Sequence, residues 1–264
     1  MKVDTGRLFD RDDAAVQSRV KCLIDAMNQL EYTAANGSFD DIATNPAFFE
    51  QIRKQATFAF VSTNVVKSTD SQPYLQPYHI AVAGEKYRIA FLGVSKAASK
   101  PAKLPDGTTL VAIEPGAAME RYLKELEGKA DLVVVMARLP VNEARSLAER
   151  YDSIDLILGG DGAYMDPGLQ PIFVNNAFIL YGGDQGKYVG KVEAYPSGQV
   201  IDKLACRLVP LDAAIPDDPT MAALLRRYGS QLYSNTPKKP AAAQTGADRK
   251  LLRFEQAGTQ TQRN

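Results

Sequence analysis

The chain has 264 residues, 45% of them hydrophobic, which is enough to bury one large core or two small ones. Lysine plus arginine and aspartate plus glutamate number 31 each, so no net field draws the protein to nucleic acid or to an anionic membrane surface. The two cysteines, Cys22 and Cys206, exclude a disulfide framework and a cysteine-rich zinc site.

No run of about 18 apolar residues is present, so no membrane-spanning helix is expected. Met1 to Arg7 lacks the basic start and apolar stretch of a signal peptide, and the sequence as given carries no export address. From Asp12 to Leu30, the residues Ala15, Val20, Leu23, Ile24 and Met27 recur mostly three or four apart, which predicts an amphipathic helix. Asn45 to Gln55 repeats the pattern more briefly, and Phe58 to Val61 is an apolar run suited to a buried strand. Tyr78 to Val82 and Lys86 to Leu92 flank a short glycine-containing connection and read as a hairpin.

Gly116 to Gly128 then reads as a helix, Asp131 to Met136 as a buried strand, Val141 to Tyr151 as a helix and Ile154 to Leu158 as a strand. This alternation is the pattern of a layered α/β fold. After Gly159-Gly160 come strands alone: Ile172 to Val174, Ala177 to Tyr181, Tyr188 to Tyr195 and Gln199 to Leu208, with Pro196-Ser197-Gly198 as a turn. A last helix is expected from Pro219 to Tyr233. The acid pairs Asp12-Asp13, Asp40-Asp41 and Asp217-Asp218 stand where helices begin, a position that favours negative charge. These elements form one domain, residues 1–233. Residues 234–264, rich in Pro, Ala, Gln, Thr and charge, are expected to be a flexible tail or linker, with Leu251, Leu252 and Phe254 as a docking patch.

Four segments stand in an order that matches one family: Val3-Asp4-Thr5-Gly6-Arg7-Leu8-Phe9-Asp10, Ala35-Asn36-Gly37-Ser38-Phe39-Asp40, Ser62-Thr63-Asn64-Val65 and Gly182 to Gly190. The chain resembles the catalytic domain of the 5'-nucleotidase branch of the calcineurin-like metallophosphoesterases, from about Val3 to Tyr233. The resemblance implies an αββα sandwich with mixed sheets, here with the opening N-terminal strand missing. In that family two divalent metals, held by Asp, Asn and His at strand ends, activate a water and clamp the phosphate in line.

The matching positions carry other groups. The family's Gly-Asp is Gly6-Arg7, and its Gly-Asn-His-Glu is Ala35-Asn36-Gly37-Ser38. Its Thr-His-x-Gly is Ala137-Arg138-Leu139-Pro140, and its Gly-Gly-His-x-His is Gly159-Gly160-Asp161-Gly162-Ala163. Arg7, Asn36, Gly37, Arg138, Asp161 and Ala163 therefore mark a vestigial site for which no catalytic residue, metal or cofactor is expected. The single histidine, His79, lies in the hairpin, apart from every motif. Asp161 and Asn36, joined by Asp10, Asp40 or Asp184, would make at most a weak Mg²⁺ or Ca²⁺ site.

Arg7 and Arg138 are expected to neutralise Asp161 or a neighbouring carboxylate; alternatively, with Asn36, they would clamp a small anion such as a phosphate or carboxylate. The glycine-rich stretches lack nucleotide-binding spacing, and no serine has a histidine to act as its base. The expected function is that of a catalytically inactive binding or structural module, within a larger assembly. The alternative is a metal-dependent phosphoester or nucleotide hydrolase with a non-standard site. The partner is expected to be a protein or a second copy of the chain, paired along an open sheet edge at the start of the chain. The resemblance implies a periplasmic or extracellular setting, whereas the sequence alone favours cytoplasm equally.

Overall fold

Apolar residues spaced for strands and for helices sort into three separate cores, and these define four layers. The computed structural model describes residues 1–9, 12–84, 86–160, 171–182, 186–197, 200–229 and 252–255. The first half holds β1 (Val3–Asp4), α1 (Ala14–Gln29), β2 (Ala34–Asn36), α2 (Phe39–Thr44), α3 (Pro46–Gln55), β3 (Ala59–Val61), β4 (Val65–Lys67), β5 (Tyr78–Ala83), β6 (Tyr87–Ser95), β7 (Ala102–Lys103) and β8 (Thr109–Ala112). Next come α4 (Pro115–Leu126), β9 (Leu132–Arg138), α5 (Val141–Arg150), β10 (Leu156–Gly159), β11 (Ile172–Val174) and β12 (Ala177–Tyr181). The last are β13 (Tyr188–Ser197), β14 (Val200–Pro210), α6 (Pro219–Tyr228) and β15 (Leu252–Glu255).

The central sheet has the order β11-β12-β10-β9-β6-β5. Its four inner strands are parallel and its two edge strands antiparallel. β9 is buried throughout, as its unbroken apolar run requires of a strand covered on both faces. Val133, Val135 and Ala137 face α4 and α5, while Leu132, Val134 and Met136 face the core between the sheets. That inner core also takes Ala34 and Val61 from the parallel sheet β1-β2-β3, and Ile201 and Leu204 from β14. On the far side of β1-β2-β3, helices α1, α2 and α3 bury Ile24, Ile42 and Phe49 against Ala35 and Phe60. The expected α/β/β/α layering with mixed sheets is therefore present.

Local chemistry sets the helix boundaries. Asp13 caps α1 by accepting from Val16 N at 2.8 Å, and Asp218 caps α6 by accepting from Thr220 N and Met221 N. Asn45, Glu114 and Asp218 each cap a helix whose first residue is proline, which lacks the N–H that would otherwise need a partner. Three features differ from the sequence reading. β4, β7 and β8 form a small additional sheet whose strands of two to four residues are too short to show a period. The described part of the last helix runs from Pro219 to Tyr228, and residues 230–233 lie outside the described residues. Within the segment expected to be a tail, Leu252–Glu255 instead pairs antiparallel with β14 as β15; the rest, Leu251 included, lies outside the described residues.

One buried acid links three strands. Asp155, 6% exposed, accepts from Val133 N at 2.7 Å through Oδ2, while its backbone bonds to Val133 O and Phe178 N. Burial pushes its pKa up to about 7, against the lowering effect of the Val133 bond. A raised acid pKa means that the folded state holds a proton the unfolded chain has lost, so stability falls as pH rises between about 4 and 7. Asp155→Asn keeps the acceptor for Val133 and removes the charge. Urea unfolding at pH 5 and pH 8 should show a smaller stability loss in the variant, by on the order of 2–4 kcal/mol. An unchanged pH profile would show that Asp155 is ionised in the fold.

Candidate functional site

The C-terminal ends of β1, β2, β6, β9 and β10 meet at one rim, where the resemblance places its motifs. Asn36, the last residue of β2, is fully buried. Its Nδ2 donates to Thr5 O, just past β1, at 3.1 Å and to Val94 O on β6 at 2.9 Å. One amide thus ties both sheets together. Its Oδ1 is buried without a hydrogen-bond partner and lies against Gly93, where an added Cβ would fall 2.6 Å from Oδ1 and 2.5 Å from Val61 O. The two sheets touch at Gly93 too closely for any side chain. At the end of β10, Gly160 N donates to Ala137 O at 2.8 Å, and a Cβ on Gly160 would lie 2.3 Å from Thr5 Oγ1.

Around this rim the expected site residues take different roles. Gly37 follows Asn36 and donates its N–H to Val61 O at 2.8 Å. A Cβ there would lie 2.4 Å from Leu75 Cδ1 and 3.4 Å from the Phe49 ring, so Leu75 fills the space a side chain would take. Arg138 ends β9 in the phase of the inward-facing residues Leu132, Val134 and Met136, which places its side chain on the inter-sheet side. It is 6% exposed, and Nη1 donates to Gly160 O.

Arg7 is exposed, with φ +69°, so the structure does not enclose the two guanidinium groups together. Asn36 has both amide hydrogens committed to carbonyls and none left for an anion in this arrangement. Asp40 is exposed on α2. Asp10, Asp161, Gly162, Ala163 and Asp184 lie outside the described residues. Among the described residues, no three His, Cys, Asp or Glu side chains are grouped to hold a metal ion. His79 sits half-buried on β5 in register with Phe91, and burial holds its pKa below the ordinary value.

The sequence reading assigned Asp41 to a helix start and missed its main role. Ser38 is the cap of α2, and Asp41, fully buried, accepts from Ser38 Oγ at 2.6 Å, Arg7 N at 2.8 Å and Phe9 N at 3.2 Å. This carboxylate pins the turn after β1 and with it the left-handed backbone of Arg7. Burial raises its pKa to about 6, opposed by the Ser38, Phe9 and Arg7 bonds, and Asp4 adds a small upward push. The Ser38-x-x-Asp41 spacing resembles a capping box and was the available signal. Its use across 34 residues of sequence separation is not visible locally.

Beyond Arg138, the starts of α4 and α5 border a groove of about 350 Å³ lined by Lys96, Glu114, Leu139, Asn142, Glu143 and Arg150. Its charges pair loosely with one another, Lys96 with Glu143 at 3.8 Å and Arg150 with Glu114 at 3.9 Å.

These layers and this rim have the fold of the calcineurin-like phosphoesterases. An uncharacterized metallophosphoesterase of Bacillus subtilis, YunD, is 26% identical over 194 residues, covering 72% of this chain and 41% of that protein. The sulfate thiohydrolase SoxB of Thermus thermophilus superposes with a TM-score of 0.76 at 21% identity, over 88% of this chain and 43% of its own. A 5'-nucleotidase precursor, also from Thermus thermophilus, gives 0.74 at 21% identity, over 88% and 49% respectively. The calcineurin-like phosphoesterase YfkN of Bacillus subtilis gives 0.70 at 16%, over 88% and 84%. No family model matches the chain. The chain thus has the calcineurin-like fold and is similar to a metallophosphoesterase, and it spans about two fifths of the length of the curated relative it matches.

Packing at Gly37 yields a direct test. Gly37→Ala should cost about 1–3 kcal/mol in urea unfolding, because the new methyl group collides with Leu75. Combined with Leu75→Ala, the cost should be less than the sum of the two single costs. Strict additivity would mean that Leu75 does not fill this space.

Asp41 yields another. Asp41→Asn sets an amide NH₂ against a backbone N–H and should destabilise by about 1–3 kcal/mol, with Arg7 amide exchange quickened. Unchanged exchange at Arg7 would mean that the carboxylate does not hold the turn.

Proposed function

We propose that this chain is a catalytically inactive metallophosphoesterase-like domain that serves as a binding or structural module within a larger assembly. The observation that carries the reading is Gly37. Where the family's motif has a histidine, this chain has a glycine, and the tip of Leu75 takes the place of its side chain. Arg138 supports it further: a cation stands at the end of β9, where the motif has a metal-binding histidine, and spends a donor on Gly160 O. A positive group in that place opposes a divalent cation at close range. The donors among the described residues do not fit a dinuclear metal centre. Arg7 and Arg138 are proposed as groups that replace the charge of the family's metals, with Asp161 or a neighbouring carboxylate as their counter-charge.

A second reading, a metal-dependent hydrolase of phosphoesters or nucleotides, is favoured by the names of the proteins this chain is similar to, a metallophosphoesterase and a 5'-nucleotidase precursor among them. Its metal set would draw on Asp161, Asp10 or Asp184. Elemental analysis of the purified protein, paired with assays on a generic phosphoester and a nucleotide in added Mn²⁺, separates the two. We expect substoichiometric metal and no turnover. Stoichiometric metal, with turnover abolished by Asp161→Ala, would establish the hydrolase.

A further inference from the structure

The six-stranded sheet has two unequal edges. β11 is three residues long, whereas β5 runs for six residues, Tyr78-His79-Ile80-Ala81-Val82-Ala83, without a proline or a full charge. Natural edge strands are usually kept from pairing by shortness, lysines, prolines or bulges, and β5 has none of these. Val82 is 58% exposed. Among the described residues, no backbone group outside its own hairpin bonds to Tyr78–Ala83.

The hairpin fixes which backbone groups face outward. Ala83 O accepts from Lys86 N at 3.2 Å, and Ala83 pairs with Tyr87, so the backbone of Ala83 faces β6. Asp131 N donates to Arg88 O, so the alternate residues of β6 face β9 instead. With period two, His79 and Ala81 join Ala83 in facing β6, and Tyr78, Ile80 and Val82 direct their N–H and C=O away from the sheet.

We propose that β5 is a homodimer interface, in which two copies of this chain join antiparallel along this edge to make one continuous twelve-stranded sheet. The occupant is a second copy because the strand is complementary to itself. A two-fold axis through Ile80 sets each Ile80 opposite its counterpart, Tyr78 opposite Val82, and His79 opposite Ala81. Tyr78, Ile80 and Val82 then exchange their outward hydrogen bonds, and the cross-strand side-chain pairs are aromatic with β-branched and β-branched with β-branched, both favourable. Pro77 falls opposite Ala83, where neither backbone faces the partner, so its missing N–H costs nothing. No charged residue of β5 meets a like charge in this register. The arrangement is isologous and closes at two copies. It does not depend on whether the rim is catalytic.

Sedimentation velocity over a concentration series tests the interface. The wild-type chain should reach a dimer. Val82→Pro removes an outward-facing N–H and leaves the bonds to β6 in place. Val82→Lys puts a charge on an exposed position. Each should raise the dimer dissociation constant at least about tenfold, with circular dichroism unchanged. If Val82→Pro unfolds, Val82→Lys decides alone. A wild type that stays monomeric throughout the series, or a folded variant that dimerises as the wild type does, overturns the proposal.

Discussion

The contact on which the rest of the structure depends is the meeting of the two sheets at Asn36 and Gly93. Layers of a sandwich ordinarily stand about 10 Å apart, filled by side chains. At the rim that filling is absent: β6 approaches so closely that Gly93 must do without a Cβ, and the Asn36 amide bridges the remaining distance to Thr5 and Val94. Because Asn36 ends β2, Thr5 follows β1 and Val94 lies on β6, a single side chain sets the relative height of three strands. Thr63 N donating to Gly93 O at 2.7 Å repeats the stitch one strand over. Removing a buried donor that serves two carbonyls leaves both unsatisfied, which costs more than the bonds themselves contribute.

Buried carboxylates hold what the amide does not reach. Asp155 joins β9, β10 and β12 beneath the rim, and Asp41 pins the turn beyond β1. Both are raised in pKa by burial, and the raised values sit in the range where the fold holds a proton that the unfolded chain has released. Neutralisation by protonation is one solution to a buried acid, and a neighbouring cation is another. At Asp41 and Asp155 the structure meets the buried acid with backbone donors, while the cation buried among the described residues, Arg138, is directed at the rim.

What was legible in the sequence follows from the range of each signal. The apolar run of β9, the stripe of α1 and the glycine connection between β5 and β6 are local patterns, and each gave the right element. Of the motif segments, Thr5, Asn36, Arg138 and Gly160 stand at strand ends that the fold itself brings to one rim. Leu75 was not legible as the group that closes over Gly37, since its approach depends on a loop 38 positions away in the sequence. Asp41 looked like an ordinary acid in a first helical turn, and only the return of Arg7 and Phe9 to it reveals another use. β4, β7, β8 and β15 were missed for a different reason: two to four residues cannot display a period.

The rim also bears on how the proposed module could persist without the chemistry of its relatives. A site that depends on metals couples folding to ion binding, because its deprotonated ligands repel one another until the ion arrives. Here the strand ends are joined by the Asn36 amide, by backbone bonds from Gly37 and Gly160, and by the packing of Leu75, none of which requires an ion. Stability and catalysis draw on separate residues in such an arrangement. In the proposed reading, apolar packing between Gly37 and Leu75 stands where the family's motif has an imidazole, so the contact at this strand end needs neither a hydrogen-bond partner nor an ion.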